Sequence, residues 1–358
     1  MEIDLKNNIM VYGAGYTAKI VANYLHACLR KKIEAFVVSK GHREMKEYAL
    51  GCCDEVVPIM EIDELDGLQN TVFFNTLIKG YDDVNEILIS KGVRKDCIIN
   101  AWDDFEMMMD EFCQEYCKYF GIDLSQPVMD CRGVKIVNVM QDQILRYNFW
   151  GTFADEIMPA IYHDTTLTVD GPYEMPELGV EVRSGDYVLD IGANLGLFSC
   201  YAAQKGCHVY AVDPDERCLE VLRQQQALYP EQIEILPYGL SEDCGTADFY
   251  VSESCGISSM CQPRGVEEEI TIELETIDHL AESGKIHRID YLKADIEGAE
   301  RLMLRGATNV LRTMAPRLSI CTYHYKEDPE LLESIIKEAN PDYVVQHAWR
   351  KLYAYVPE

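Results

Sequence analysis

Hydrophobic and polar positions along the chain form two alternating series separated by a less regular stretch. In the first series Ile9-Met10-Val11-Tyr12 is an apolar run that ends in Gly13-Ala14-Gly15. Residues 19–29 follow as an amphipathic helix, with Ile20, Val21, Tyr24 and Leu25 on one stripe. Residues 35–38, 72–74 and 97–99 read as further strands, and 83–90 as a helix. Strands separated by helical patterns imply parallel βαβ units.

The stretch that follows breaks this order. Residues 105–120 carry Met, Phe, Tyr and acidic residues at helical spacing, 132–139 reads as a short β segment, and Asp170-Gly171-Pro172 and Pro176 interrupt the pattern. The second series places strands at 187–191, 209–212, 233–236, 291–294, 318–322, 343–346 and 352–356. Helical segments at 197–205, 216–227, 299–310 and 330–339 separate most of them. The last two strands are joined only by 347–351, which predicts an antiparallel hairpin. The expectation is an α/β protein in three parts: an N-terminal Rossmann-like domain at 1–105, a helical and β connector at 106–180, and a domain at 181–358. The last would hold a seven-stranded, mostly parallel sheet with a terminal antiparallel hairpin.

Composition narrows the functional classes. Acidic residues exceed basic ones by 61 to 32, a formal charge of −29. Such a surface repels phosphate backbones and anionic lipid, so neither nucleic acid nor membrane is expected as a partner. No apolar run reaches the roughly 18–20 residues that span a bilayer. The opening MEIDLKNNIMVYGAG lacks the pattern of a secretory signal, so the expectation is a mature, cytoplasmic chain. The 14 cysteines are scattered, with no CxxC pair and no zinc-like Cys/His spacing, and read as reduced, partly buried thiols. A homo-oligomer is left open.

The most informative segment is Asp190-Ile191-Gly192-Ala193-Asn194-Leu195-Gly196, which follows an apolar strand and opens a helix. Ligands in open α/β sheets bind at the carboxyl ends of such strands. Gly192 would let the backbone turn and Gly196 would let the helix approach a ligand closely, while N–H groups of the turn could hold an anion. Asp190 at the start of the loop could hold a positively charged amino group. Asp213, ending the next strand, is where a ribose-binding carboxylate is expected. Two carboxylates around one loop suit an amino-acid sulfonium better than a pyrophosphate.

Residues 172–325 resemble the FkbM family of S-adenosylmethionine-dependent methyltransferases. The resemblance rests on Val188-Leu189-Asp190-Ile191-Gly192-Ala193-Asn194-Leu195-Gly196, Ala211-Val212-Asp213-Pro214, Gly239-Leu240-Ser241 and Gly256-Ile257-Ser258-Ser259-Met260. It continues through the block from Ile289 to Glu300, which contains Asp295-Ile296-Glu297-Gly298-Ala299-Glu300, and through Pro316-Arg317-Leu318 to Tyr323-His324. The family often shows Glu-Pro where this chain has Asp213-Pro214. The resemblance implies a class I methyltransferase sheet, S-adenosylmethionine as cofactor, and methyl transfer to a hydroxyl of a sugar, glycan or natural product. By the same analogy Gly239 and Leu240 flank the adenine, with Ser241 close by, and Tyr173-Glu174 fold over the cofactor.

Methyl transfer to a hydroxyl needs alignment and a group to take the proton. Asp295 and Glu297 stand two apart at the carboxyl end of a strand, and His324 ends the next strand. The roles expected are His324 as base, Asp295 as the carboxylate that orients it, and Glu297 as an acceptor or metal contact. Ser258 and Ser259 are placed in a loop near the acceptor. The same trio could hold a divalent cation, but no metal is predicted. In the first domain Gly13-Ala14-Gly15-Tyr16-Thr17-Ala18 is a G-x-G-x-x-A turn, but its second strand ends in Val38-Ser39-Lys40, without an acidic residue for a ribose. It is read as a recognition or assembly domain. The competing readings are a nicotinamide-dependent oxidoreductase acting through that turn, and a non-catalytic scaffold.

Overall fold

The computed structural model describes residues 8–357, apart from 44, 52–54, 78–79, 253–254 and 262–264. The chain divides into two compact units, Met1–Asp123 with Thr166–Val169, and Leu124–Thr165 with Asp170–Glu358. The expected separate connector over 106–180 is therefore not a unit of its own. Helix Phe105–Tyr119 buries Phe105, Met108, Met109, Phe112, Cys113, Tyr116 and Cys117, a stripe at helical spacing that must be covered. It packs on helix Tyr16–Ala27, which fixes it in the first unit.

The first unit is built on a six-stranded sheet in the order Glu47–Ala49, Val56–Glu61, Ala35–Val38, Asn8–Tyr12, Thr71–Asn75, Ile98–Asn100. The four central and distal strands match the predicted ones, and the pair at 47–61 does not. Pro58 interrupts the second member of that pair, and proline is depleted in sheet interiors.

The second unit holds a seven-stranded sheet. Its strands are β1 (Tyr187–Ile191), β2 (His208–Val212), β3 (Ile233–Leu236), β4 (Tyr291–Ala294), β5 (Arg317–Cys321), β6 (Val344–Ala348) and β7 (Lys351–Tyr355). The order is β3-β2-β1-β4-β5-β7-β6. β1 to β5 run parallel, and β7 runs antiparallel to both β5 and β6. The sheet direction of winding reverses between β1 and β4, which opens a crevice at their carboxyl ends. Leu189, Ile191, Leu292, Ala294, Leu318 and Ile320 of the central strands are buried with Leu304, Leu311, Leu332 and Ile336 of the covering helices. Each such side chain contributes about 1.5–3 kcal/mol relative to exposure.

Two features beside this sheet complete the site. A three-stranded sheet, Gly239–Leu240, Gly245–Ser252 and Val266–Glu275, was not anticipated from the pattern. Its long strand is rich in glutamate, and its Ile270, Ile272 and Leu274 pack with Phe249 and Val251. A π-helical segment, Phe153–Tyr162, carries Pro159 and buries Glu156. The β segment expected at 132–139 is a hairpin of Val128–Cys131 and Val134–Val137. No helix among the described residues is long and apolar enough to cross a membrane.

Candidate active site

A cleft lies at the carboxyl ends of β1, β2 and β4. Its lining includes an apolar group, Tyr238, Leu240, Phe249 and Met260, together with Asp213, Gly192, Asn194, Asp295 and Glu297. Asp213, Gly192, Asn194, Gly239, Leu240, Ser258, Asp295 and Glu297 are thus brought to one cavity.

The glycine loop is held tightly from behind. Gly192 has φ +70°, and a Cβ there would lie 1.9 Å from the Asp295 carbonyl oxygen. The loop therefore touches the backbone of the D-x-E block directly, and only glycine permits that approach. The N–H groups of Gly192 and Ala193 both donate to Val212 O at 3.0 Å, and Asn194 N donates to Asp213 Oδ2 at 2.8 Å. These donors are spent on β2 and its terminal carboxylate, so the turn is not the anion cradle expected of it. Asn194 itself has φ +52° and accepts a 2.7 Å bond from Asn148 Nδ2. Gly196 serves packing: a Cβ there would meet Leu222 at 2.6 Å, so its role is contact between neighbouring helices rather than approach to a ligand.

Asp190 also differs from expectation. It is fully buried beneath the loop. Its Oδ2 accepts from Ser199 Oγ at 2.6 Å, and its Oδ1 lies 3.0 Å from Lys293 Nζ. Lys293 sits directly across from Asp190 in the β1–β4 register. It is 3.1 Å from Glu156 Oε1 and donates to Gly192 O at 3.0 Å. Glu156 in turn accepts from Phe198 N, at the start of helix Leu197–Gln204. Burial opposes the Lys293 charge, but Asp190 and Glu156 outweigh it and hold the ammonium protonated. Burial pushes the Glu156 carboxyl up to about 7 against the pull of Lys293. Asp190 is therefore a support for the loop and has no free oxygen for a ligand's amino group. Lys293 and Glu156 were missed by sequence reasoning. The one legible hint was a lysine inside an otherwise apolar strand, since lysine is almost never fully buried unpaired.

Asp213 occupies the expected place at the end of β2. It accepts from Asn194 N and from Asp215 N at 2.9 Å, is 7% exposed, and burial pushes its carboxyl up to about 7. Gly239 and Leu240 line the cleft. Ser241 does not line it; its N–H donates to Glu275 O. Ser258 lines the cleft and accepts from Arg217 Nη2 at 3.1 Å. Ser259 is buried, and its hydroxyl donates to Glu297 O at 2.8 Å, which fixes the turn that carries Glu297.

Around Asp295 and Glu297, three carboxylates surround one imidazole. His324 Nε2 lies 3.6 Å from both Asp295 Oδ1 and Glu297 Oε1, and Nδ1 lies 3.2 Å from Glu300 Oε1. Asp295 and Glu297 do not meet through strand alternation, because β4 ends at Ala294 and Glu297 has φ +54°. The turn brings them together. Glu300 holds it shut by accepting from Ile296 N at 2.8 Å and Gly298 N at 3.0 Å. Asp295 also accepts from Tyr173 OH at 2.8 Å and Tyr323 OH at 3.0 Å. Tyr173 therefore supports Asp295, and Glu174 is bonded to Val182 N and Tyr201 OH rather than to the cleft.

The charges in this cluster set the chemistry. Burial disfavours a charged His324, but Glu297, Glu300 and Asp295 together push its pKa up to about 11. At neutral pH it is an imidazolium, so the expected role of His324 as proton acceptor does not fit its surroundings. Burial raises Glu297 above the usual carboxylate range, although the His324 cation pulls the other way. Burial would raise Asp295 too, but His324, Lys293 and Lys351 hold it below that range. Ligand atoms of Asp295, Glu297 and His324 lie within 4.8 Å of one another, a set that could also receive a divalent cation.

Residues 190–343 match a family model described as the methyltransferase FkbM domain. The hexuronic acid methyltransferase AglP of Haloferax volcanii is 28% identical over 159 residues, covering 44% of this chain and 64% of the relative. The methyltransferase sdnD of Sordaria araneosa is 31% identical, covering 34% of this chain and 61% of the relative. The chain thus spans less than two thirds of the length of either curated relative. Among solved structures, the methyltransferase FkbM of Methylobacillus flagellatus is 18% identical with a TM-score of 0.43, covering 98% of this chain and 90% of that one. By its motifs, its β3-β2-β1-β4-β5-β7-β6 sheet and the family match, the second unit of this chain carries an FkbM methyltransferase domain.

Proposed function

We propose that this protein is an S-adenosylmethionine-dependent methyltransferase that methylates a hydroxyl of a sugar or glycan. The observation that carries the reading is the set of groups gathered in one cleft: an apolar wall, the buried strand-end carboxylate of Asp213, the glycine turn, and the carboxylates Asp295 and Glu297. An adenine fits the apolar wall beside Leu240 and Phe249, and ribose hydroxyls fit Asp213. Bound there, S-adenosylmethionine supplies an electrophilic methyl group. The carboxylates Asp295 and Glu297 favour a cationic sulfonium and would repel a pyrophosphate.

The acceptor hydroxyl enters beside Glu297. A partly buried carboxylate with a raised proton affinity is a suitable base for it. The His324 imidazolium holds Glu297 and Asp295 in place and offsets their charge. Asp295, fixed by Tyr173 and Tyr323, orients the acceptor rather than taking its proton. A sugar as acceptor is supported by the relative named a hexuronic acid methyltransferase. The test is calorimetry of the full chain with S-adenosylhomocysteine, NAD and NADP. It is followed by turnover of isotopically labelled S-adenosylmethionine with neutral and uronic-acid oligosaccharides. Micromolar S-adenosylhomocysteine binding and an alkali-stable methyl ether are expected. An alkali-labile ester would move the acceptor from hydroxyl to carboxylate, and NAD binding without S-adenosylhomocysteine binding would sink the reading altogether.

A further inference from the structure

Away from the cleft, three side chains with metal-binding donors converge at the end of the three-stranded sheet. Cys244 precedes strand Gly245–Ser252, Glu275 ends strand Val266–Glu275, and His279 lies on helix Ile277–Glu282. Their donor atoms lie within 4.8 Å of one another. We propose that Cys244, Glu275 and His279 bind a thiophilic divalent cation, with zinc the best fit, and that water completes the coordination.

The donor set selects the metal. A thiolate, an imidazole and one carboxylate oxygen suit zinc, whereas calcium and magnesium take all-oxygen sites. The geometry is close to what a tetrahedral ion needs. Typical zinc bond lengths place a sulfur and an oxygen ligand roughly 3.6 Å apart, and a nitrogen and an oxygen roughly 3.4 Å apart. Cys244 Sγ is 3.4 Å from Glu275 Oε2, and His279 Nδ1 is 2.5 Å from the same oxygen. Relative to that oxygen, the histidine must swing back by less than 1 Å.

The carboxylate is also presented the right way. Its two oxygens have separate tasks: Oε2 faces the thiol and the imidazole, while Oε1 lies 3.7 Å from Lys285 Nζ. A metal-bound carboxylate whose second oxygen is held by a neighbour is the usual outer-shell arrangement. The backbone beneath is fixed, since Ser241 N donates to Glu275 O at 3.0 Å and His279 N donates to Thr276 Oγ1 at 2.9 Å. Cys244 is exposed and the His279 side chain is half exposed, so an ion has access. Lys285 Nζ also donates to Tyr238 OH at 2.8 Å, which ties the same carboxylate to a wall of the cleft.

Cobalt(II) is the direct probe, because only a thiolate ligand gives an intense near-ultraviolet charge-transfer band. One equivalent of cobalt(II) added to the reduced full-length protein is expected to produce that band, and zinc(II) to remove it by displacement. Cys244→Ser should abolish the band and His279→Ala should weaken cobalt affinity at least tenfold. Glu297→Gln, in the cleft cluster, should leave the band intact. Both ligand changes fall on exposed positions, and circular dichroism checks that each variant is folded. Zinc should also slow alkylation of Cys244 in the wild type by tenfold or more, which needs no variant. Absence of the band at one equivalent, or a band that survives Cys244→Ser, overturns the site. None of these readouts depends on methyl transfer, so the site and the catalytic reading stand or fall separately.

Discussion

The two units each contain a strand, a glycine turn and a helix, and the turn of the second unit lines the cleft. In the first unit the space beside Gly13 is filled from within. A Cβ at Gly13 would lie 2.3 Å from Thr76 Oγ1, whose hydroxyl donates to Tyr12 O at 2.7 Å. Tyr48 OH donates to Ala14 O at 2.7 Å, and Lys40 at the end of the second strand pairs with Asp63 at 3.4 Å on the surface. In the second unit the equivalent turn is braced from beneath by Lys293 and Asp295, is bonded to Asp213 through Asn194 N, and lines the cleft beside it. The glycines shape both turns. What makes a site is the set of residues at the ends of neighbouring strands.

Gly192→Ala should break the second turn with the largest effect. The new methyl would collide with backbone, the Asp295 carbonyl, in a left-handed conformation. Neither side can yield without moving the D-x-E block. A loss of at least a hundredfold in S-adenosylhomocysteine affinity is expected by calorimetry, together with a fall in unfolding free energy of several kcal/mol. An unchanged affinity would show that the loop is not a cofactor loop.

Lys293→Met comes next. It leaves Asp190 and Glu156 buried side by side without a cation, and breaking such a group costs about 3–5 kcal/mol. Denaturant unfolding should register that loss. Adding Glu156→Gln should recover part of it, because one of the two orphaned charges is removed. A double variant no more stable than the single one would show that Glu156 does not share the lysine.

Asp213→Asn tests the ribose contact and supplies a pH signature. Burial raises the Asp213 carboxyl to about 7, so it is largely protonated below neutrality and a full acceptor only above it. Affinity for S-adenosylhomocysteine should therefore be greatest above pH 7. It should fall as pH drops through 7, by up to about tenfold per unit well below the pKa. In Asp213→Asn the affinity should drop roughly tenfold at pH 8, from the loss of one charge-assisted bond, and the pH dependence should flatten. A slope that persists in the variant would assign it to another group.

Much of the fold was legible, and the reasons are local. The hairpin of β6 and β7 followed from the short connection expected at 347–351, which the structure narrows to Trp349-Arg350, and the parallel strands from their apolar runs between amphipathic helices. That Asp213 and Asp295 would border the crevice was legible because residues just past the carboxyl ends of parallel strands face it by topology alone. What escaped were residues whose roles depend on contacts distant in sequence. Glu156 reaches Lys293 from a segment 137 positions away, and nothing in the spacing of 153–162 marks one acid as buried. The fate of Asp190 was invisible for the same reason. A loop aspartate reads as a ligand contact until its cross-strand lysine is in view. The convergence of three carboxylates on His324 was not legible either, because Glu297 and Glu300 reach it from a turn, an arrangement that strand periodicity does not describe.

The smallest effect should come from Gly13→Ala, the counterpart of Gly192→Ala in the first unit. Its φ of +117° is also unfavourable for alanine, but the atom in the way is a side-chain hydroxyl, which can rotate. Displacing it gives up the Thr76–Tyr12 bond and leaves the strands in register. The cost should be about 1–3 kcal/mol, seen in denaturant unfolding, with S-adenosylhomocysteine affinity within twofold of the wild type. The contrast with Gly192 is then one of stability without binding against stability with binding. If Gly13→Ala instead removed cofactor affinity, the two turns would be functionally linked, and the first unit would have to be read as part of the catalytic apparatus.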